Sequence, residues 1–340
     1  MGIRSEDLEK ISWLGDGASA FVEKVIWRHT VDERNEDGTV SKVKKEMIMA
    51  KKVISIDTRR TLRRLDRAIR IMAAGAEHIV GFYGALHMGN DVWVLMEHMN
   101  LGSLDRLLRR ASPQGFPEPV LAHIAYVVTS AMNQLYKQFR MIHRDIKPAN
   151  ILINSDGKVK VADFGETGEL SAESRVASFV GTSYYMGPER INPAKDSKGY
   201  QIQADVWSLG ITLIELADGH HPYASGDSWD IPLPPQLQAS TSNATLAPPP
   251  VAVQLRTPIE LLQAIVHEPA PRLSNKGKWS EEFAQFVSVC LIKDPDRRPK
   301  PSKLLQEPWL VKAAQIFRES GGKLDLPSWL SQDVVDSLKF

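Results

Sequence analysis

Polar and apolar positions alternate early in this chain and take up helical spacing later. Phe21-Val22-Glu23-Lys24-Val25-Ile26-Trp27 and Glu46-Met47-Ile48-Met49-Ala50 read as strands. The polar stretch Asp32 to Gly38 between them predicts a turn or short insertion. From Thr58 to Ala74, Leu62, Leu65, Ile69 and Met72 recur at helical spacing, and Val92 to Met96 is a short, wholly apolar strand. The pattern through Met96 therefore predicts a small sheet with one helix. Beyond Gly102 the chain turns helical. A cap around Ser103 leads into an apolar stripe, Val120 to Phe139 is a long amphipathic helix, and Asp205 to Ala217 and Ser280 to Leu291 follow as further helices. Between Ser225 and Pro258, Pro232, Pro234, Pro235, Pro248, Pro249, Pro250 and Pro258 mix with Ser, Thr and Gln. That composition cannot build a packed core and predicts a mobile insertion.

A chain of 340 residues exceeds the usual size of one hydrophobic core, so two lobes are expected. The formal charge of +1 gives no reason to expect nucleic acid as a partner. No apolar run approaches the roughly 20 residues that span a bilayer, so membrane insertion is not expected. Cys290 is the single cysteine, which excludes an intrachain disulfide and suits a reducing compartment. Met1-Gly2 hints at myristoylation, but Glu6 stands where Ser or Thr is wanted. With no signal-peptide core, the expected location is the cytoplasm, with the nucleus as a second compartment.

The candidate chemistry lies in His143-Arg144-Asp145-Ile146-Lys147-Pro148-Ala149-Asn150 and in Asp163-Phe164-Gly165, thirteen residues after Asn150. The first segment supplies a carboxylate, an ammonium and a metal-binding amide. The second supplies another carboxylate that can hold magnesium. Together they are the minimum kit for moving a phosphoryl group from ATP, a reaction that is mostly positioning and charge neutralisation. Upstream, Gly15 and Gly17 in Leu14-Gly15-Asp16-Gly17-Ala18-Ser19-Ala20-Phe21-Val22 would let backbone amides approach phosphates closely, although the same residues also suit an ordinary hairpin turn. In Met49-Ala50-Lys51-Lys52-Val53 two lysines compete, and strand alternation allows only one to face a cleft.

The eight-residue segment resembles the catalytic loop of protein kinases, and Asp163-Phe164-Gly165 resembles the magnesium-binding motif that follows it. The resemblance implies an α+β, bilobal fold, with a small antiparallel sheet and one helix over 1–97 and a larger, mainly helical lobe over 98–330. The Pro-rich insertion, 225–258, lies within the second lobe, and 331–340 forms a tail. The resemblance also implies ATP and Mg2+ as cofactors. Asp145 would orient the substrate hydroxyl, Lys147 would stabilise the transferring phosphate, and Asn150 and Asp163 would hold the metal. Leu14, Gly15, Gly17, Val22, Ala50, Met96 as gatekeeper, Glu97, Met99 and Ser103 would surround the nucleotide. Ala20 replaces the third glycine of the family's loop. The family pattern Ala-x-Lys selects Lys52 as the ATP lysine and leaves Lys51 in solvent. Kinases pair that lysine with a helix glutamate. An ungapped count back from Ile79-Val80-Gly81-Phe82-Tyr83 lands instead on Arg67, so either neighbouring Asp66 substitutes or the pair is missing. Arg59, Arg60, Arg63, Arg64, Arg67 and Arg70 on the same helix form either a solvated cationic face or a cradle for phosphorylated side chains. His143 and Asp205 would be structural, and Glu189 would pair with Arg297.

Between Asp163 and Glu189, Ser174 and Ser178 precede Phe179-Val180-Gly181-Thr182 as in the activation segment of MAP kinase kinases. Gly102-Ser103-Leu104-Asp105, Glu189-Arg190-Ile191-Asn192-Pro193, Cys290-Leu291-Ile292-Lys293-Asp294-Pro295 and Pro327-Ser328-Trp329-Leu330 are also similar to that family. Glu166 and Thr167 depart from it, standing where an aliphatic residue and Ser are usual. Phe179 to Thr182 and the insertion resemble mitogen-type members, whereas Arg190 to Pro193 and Asp91-Val92-Trp93 resemble stress-type ones. The resemblance implies a dual-specificity kinase that phosphorylates Thr and Tyr of a MAP kinase. It would itself be switched on by a MAP kinase kinase kinase acting at Ser174 and Ser178, with a scaffold protein as a further partner. The rival readings are an inactive pseudokinase scaffold and a general Ser/Thr kinase.

Overall fold

Early alternation produces a five-stranded antiparallel sheet. In the computed structural model its strands are β1 (Leu8–Gly17), β2 (Ala20–Arg34), β3 (Val40–Ser55), β4 (Phe82–Met88) and β5 (Asp91–Glu97), in the order β1-β2-β3-β5-β4. The structure describes residues 2–17, 20–35, 39–169, 183–192, 201–223, 257–274 and 277–339. Ser174, Ser178 and nearly all of the Pro-rich stretch lie outside them.

β2 and β3 run further than the alternation suggested, and the predicted turn at Asp32 begins only after Arg34. Val31 sits opposite Val43 and Asp32 opposite Lys42, and Lys45 reaches Glu33 at 2.5 Å. Apolar and opposite-charge cross-strand pairs of this kind sustain a ribbon that the core does not cover. Helix α1 (Arg59–Ala73) is capped by Thr58, whose side chain accepts from the Thr61 amide. Its buried face is Leu65, Ala68, Ile71 and Met72. Leu62, expected on that face, is 46% exposed.

The second half is helical: α2 (Leu104–Ala111), α3 (Glu118–Gln134), α4 (Pro188–Ile191), α5 (Gln203–Asp218), α6 (Pro258–His267), α7 (Glu281–Cys290), α8 (Pro301–Leu304), α9 (Pro308–Glu319) and α10 (Gln332–Leu338). Short strands β6 (Gly102–Ser103), β8 (Ile151–Ile153) and β9 (Val159–Val161) form one small sheet, and β7 (Met141–Ile142) pairs with β10 (Gly168–Glu169). The centre is α5, buried on every side from Gln203 to Ala217, as a helix apolar all round must be. It stops at Gly219, whose φ of 83° only glycine adopts cheaply. One core joins the two halves, running from Leu65, Ile71 and Val94 through Ile79 to Val161 and Leu104. His78 and Val80 hydrogen-bond Val161 of β9 from either side, stitching the first lobe to the second. Among the described residues no helix is long and apolar enough to cross a membrane.

Candidate active site

The loop after β7 is held from below. Asp205 on α5, 1% exposed, accepts from the backbone amides of His143 and Arg144 at 2.7 and 2.8 Å. Burial pushes its carboxyl above the ordinary value, and the two amides oppose that shift. Arg144 takes a left-handed φ of 70°, a sharp change of backbone direction immediately before Asp145. His143 is wholly buried, places Nε2 3.0 Å from the Ala162 carbonyl and packs on the Phe164 ring at 5.0 Å. It is a packing residue, too enclosed to act as a base.

Asp145 is 8% exposed. Its Oδ2 accepts from Asn150 Nδ2 at 2.7 Å and lies 3.0 Å from Lys147 Nζ. Its Oδ1 is buried without a hydrogen-bond partner among the described residues. A buried carboxylate oxygen left empty is costly unless something outside the chain fills it. Asn150 spends Nδ2 on both the carbonyl and the carboxylate of Asp145, at 2.8 and 2.7 Å, so its amide oxygen is the atom left for a metal.

Across the cleft, β3 presents Lys52. Gly15, Val22, Lys52 and Val94 are successive partners in one row across β1, β2, β3 and β5. The Lys52 ammonium lies 2.9 Å from Asp163 Oδ1. Asp163 has a left-handed φ of 58° and accepts from the Gly165 amide at 3.3 Å. Burial raises its pKa, but Lys52 and that amide outweigh it and hold the carboxyl below its ordinary value. An ionised Asp163 with the Asn150 amide makes a two-oxygen protein set, and magnesium is commonly held by one or two such groups plus phosphate and water. The residues fit the metal.

The remaining predicted nucleotide residues lie on β1, β3 and β5 and in the segment that follows β5. Ala50 pairs with Met96 in register, and Met49 with Glu97. Met99 is buried, and its carbonyl accepts from Gly102 at 2.9 Å. Ser103 hydrogen-bonds Asp105. Leu14 and Gly15 lie on β1, and Gly17 pairs with Ala20 at the hairpin tip. The structure also reveals a side-chain role for Glu97 that spacing could not show. Glu97 Oε2 accepts from the Gly81 amide at 3.0 Å and from Lys160 of β9 at 2.6 Å.

Three sequence expectations are corrected. Lys51 is not in solvent. It is 8% exposed, pairs with Glu23 at 2.6 Å and lies 4.0 Å from the Trp93 ring centroid. Alternation did separate it from Lys52, but the far face of the sheet carries its own buried carboxylate. Asp66 does not meet Lys52. Its side chain is 57% exposed and pairs with Arg70 at 2.9 Å, because one residue beyond buried Leu65 is a turn of about 100° away from the core. Arg67 is half-buried, with Nε unpartnered among the described residues. Glu189 is held by Arg298, at 2.7 and 3.0 Å, and not by exposed Arg297. The helix arginines divide. Arg59, Arg60, Arg63 and Arg70 are exposed, whereas Arg64 forks onto Glu166 at 2.9 and 3.1 Å. Glu166 had stood out in the sequence only as an acid in an aliphatic position.

Comparison with known proteins agrees with this geometry. Residues 35–310 match the protein kinase domain family. The chain is 37% identical over 319 residues to the dual specificity mitogen-activated protein kinase kinase dSOR1 of Drosophila melanogaster, covering 92% of this chain and 72% of that one. It is 39% identical over 318 residues to the mitogen-activated protein kinase kinase MST7 of Pyricularia oryzae, covering 93% of this chain and 67% of that one.

Proposed function

This chain belongs to the MAP kinase kinases of the protein kinase family, a phosphotransferase acting in a MAP kinase cascade, and from that premise we propose that it phosphorylates both Thr and Tyr in the activation loop of a MAP kinase, once Ser174 and Ser178 have themselves been phosphorylated by an upstream kinase. The observation that carries this reading is Asp145 Oδ1, buried beside Lys147 and Asn150 and without a hydrogen-bond partner among the described residues.

Asp145 Oδ1 accepts the hydrogen of the incoming hydroxyl and aligns its oxygen for in-line attack. Lys147, already drawn to Oδ2, neutralises charge on the transferring phosphoryl group. Asn150 and Asp163 would hold magnesium, whose charge would screen the phosphate oxygens. Lys52, paired here with Asp163 at 2.9 Å, would neutralise the nucleotide phosphates from its place on β3. Arg144, next to the catalytic Asp145, is the cation that phosphorylated Ser174 and Ser178 would recruit, each phosphate adding about −1.5 to −2 charges.

The test is transfer of labelled phosphate to a panel of catalytically dead MAP kinases, followed by phosphoamino-acid analysis. We expect label on Thr and Tyr, lost in Asp145→Asn and in Ser174→Ala/Ser178→Ala. Label confined to Ser and Thr of generic substrates would refute dual specificity, and full activity of the double-alanine variant would refute the activation step. The absence of an acid opposite Lys52 on α1 favours one rival, a scaffold that binds nucleotide without transferring phosphate; no transfer after any upstream activation would support it.

A further inference from the structure

Helix α1 and the metal-binding turn touch without the lysine–acid bridge that the kinase reading leads one to expect. The single acid on α1, Asp66, is committed to Arg70 on the solvent side. Lys52 spends its charge on Asp163. Arg67, one turn on from Arg64, has no carboxylate to offer. The contact that does cross is Arg64 to Glu166, a two-pronged fork in which Nη1 and Nη2 meet Oε1 and Oε2 at 2.9 and 3.1 Å, joining residues 102 apart in the chain.

Position makes this contact more than a surface pair. Glu166 ends the single turn Phe164–Glu166, and Asp163 is the residue that caps the turn. The turn is stiff at its other points. Phe164 is 2% exposed, and Asp163 is held in a left-handed conformation by its bond to Gly165. A pull on Glu166 is therefore transmitted to Asp163 through the two residues between them, Phe164, which is buried, and Gly165, whose amide is bonded to Asp163. The planar guanidinium meets a carboxylate in the geometry that gives such pairs directional hold.

We propose that the Arg64–Glu166 fork is the bond by which α1 sets the metal-holding carboxylate, with Arg64 and Glu166 as positioning residues for Asp163. Compared with the lysine–acid bridge its polarity is inverted: the helix supplies the cation and the metal-binding turn the anion. Because Lys52 has no competing partner on α1, it exchanges only between Asp163 and the nucleotide, and the fork holds the turn while Asp163 changes partners. This inference rests on the kinase reading of Lys52 and Asp163.

The experiment uses the full chain and measures affinity for a non-hydrolysable ATP analogue by calorimetry, with saturating magnesium and with chelator. Arg64→Gln and Glu166→Gln should each weaken magnesium-dependent binding about fivefold, the largest factor a half-exposed pair supports. Magnesium-free binding and the thermal midpoint should stay unchanged. The reversed pair, Arg64→Glu with Glu166→Arg, should recover most of the lost affinity. Singles that bind like the parent, singles that bind more tightly, loss equal with and without magnesium, or a reversed pair as weak as the singles would each overturn it. The readout needs no phosphate transfer. A chain that binds magnesium nucleotide through this fork yet transfers nothing would sink the functional reading and leave this one standing.

Discussion

Arg298 offers the sharpest test of the scaffold under the site. The residue is 1% exposed, and all five of its N–H donors are used. Nη1 reaches Glu189 Oε1 and the Gln203 carbonyl, both at 2.7 Å. Nη2 reaches Glu189 Oε2 at 3.0 Å and the Lys293 carbonyl at 3.2 Å, and Nε the Ile292 carbonyl at 2.8 Å. Replacing it by Met fills much of the space but strands one carboxylate and three carbonyls. Breaking a buried pair from one side costs about 3–5 kcal/mol. With an unfolding entropy of about 2.1 cal/mol/K per residue, 4 kcal/mol lowers the melting midpoint of a chain this long by about 6 °C. Urea denaturation of Arg298→Met should show the loss, and the double variant Glu189→Gln/Arg298→Met should lose less than the sum of the singles. Arg297→Ala, one residue away and exposed, should stay within about 0.5 kcal/mol. An Arg297→Ala loss as large as that of Arg298→Met, or an Arg298→Met loss below about 1 kcal/mol, would refute the argument.

Two further outcomes follow from buried groups around α5. Burial raises the Glu215 carboxyl to about 7 against an opposing bond from Tyr185 at 2.5 Å. A folded pKa above the unfolded one stabilises below about pH 4.5 and loses that contribution as pH rises through about 7. His221, pushed down to about 3 by burial, does the reverse, stabilising above about pH 6.5 and losing it as the solution is acidified. Glu215→Gln should therefore flatten only the alkaline limb of the urea midpoint against pH, by about 3 kcal/mol at most, and a flattened acid limb would contradict it. Gly219→Ala should destabilise by roughly 2–3 kcal/mol, since φ is 83° and the new Cβ would sit 2.2 Å from the Pro113 carbonyl; an unchanged midpoint would mean that the chain there relaxes freely.

The legible parts of the molecule were those in which chemistry and spacing are local. His143 to Asn150 carries its carboxylate, ammonium and amide within eight residues, so no folding knowledge is needed to bring Asp145, Lys147 and Asn150 together. The strand-like runs of β2, β3 and β5 likewise announce a sheet, and the largely apolar sequence of α5 announces a buried helix in spite of Asp205 and Glu215. The misreadings at the site fell between adjacent residues: Asp66 against its helix neighbours, Arg297 against Arg298, and the fate of Lys51 beside Lys52. One step along a helix turns a side chain by about 100°, and one step along a strand reverses its face. Sequence spacing resolves the element but not always that last rotation.

By itself, then, the sequence determined which groups exist for phosphoryl transfer and the order in which they come, because those groups sit in short segments whose geometry is local. Tertiary structure alone decided which charges meet. Glu166 finds Arg64, Glu189 finds Arg298 and Lys51 finds Glu23 across 102, 109 and 28 residues respectively. Such meetings depend on how elements pack, and no local pattern of hydrophobic and polar residues encodes the distance between two faces before the chain has folded.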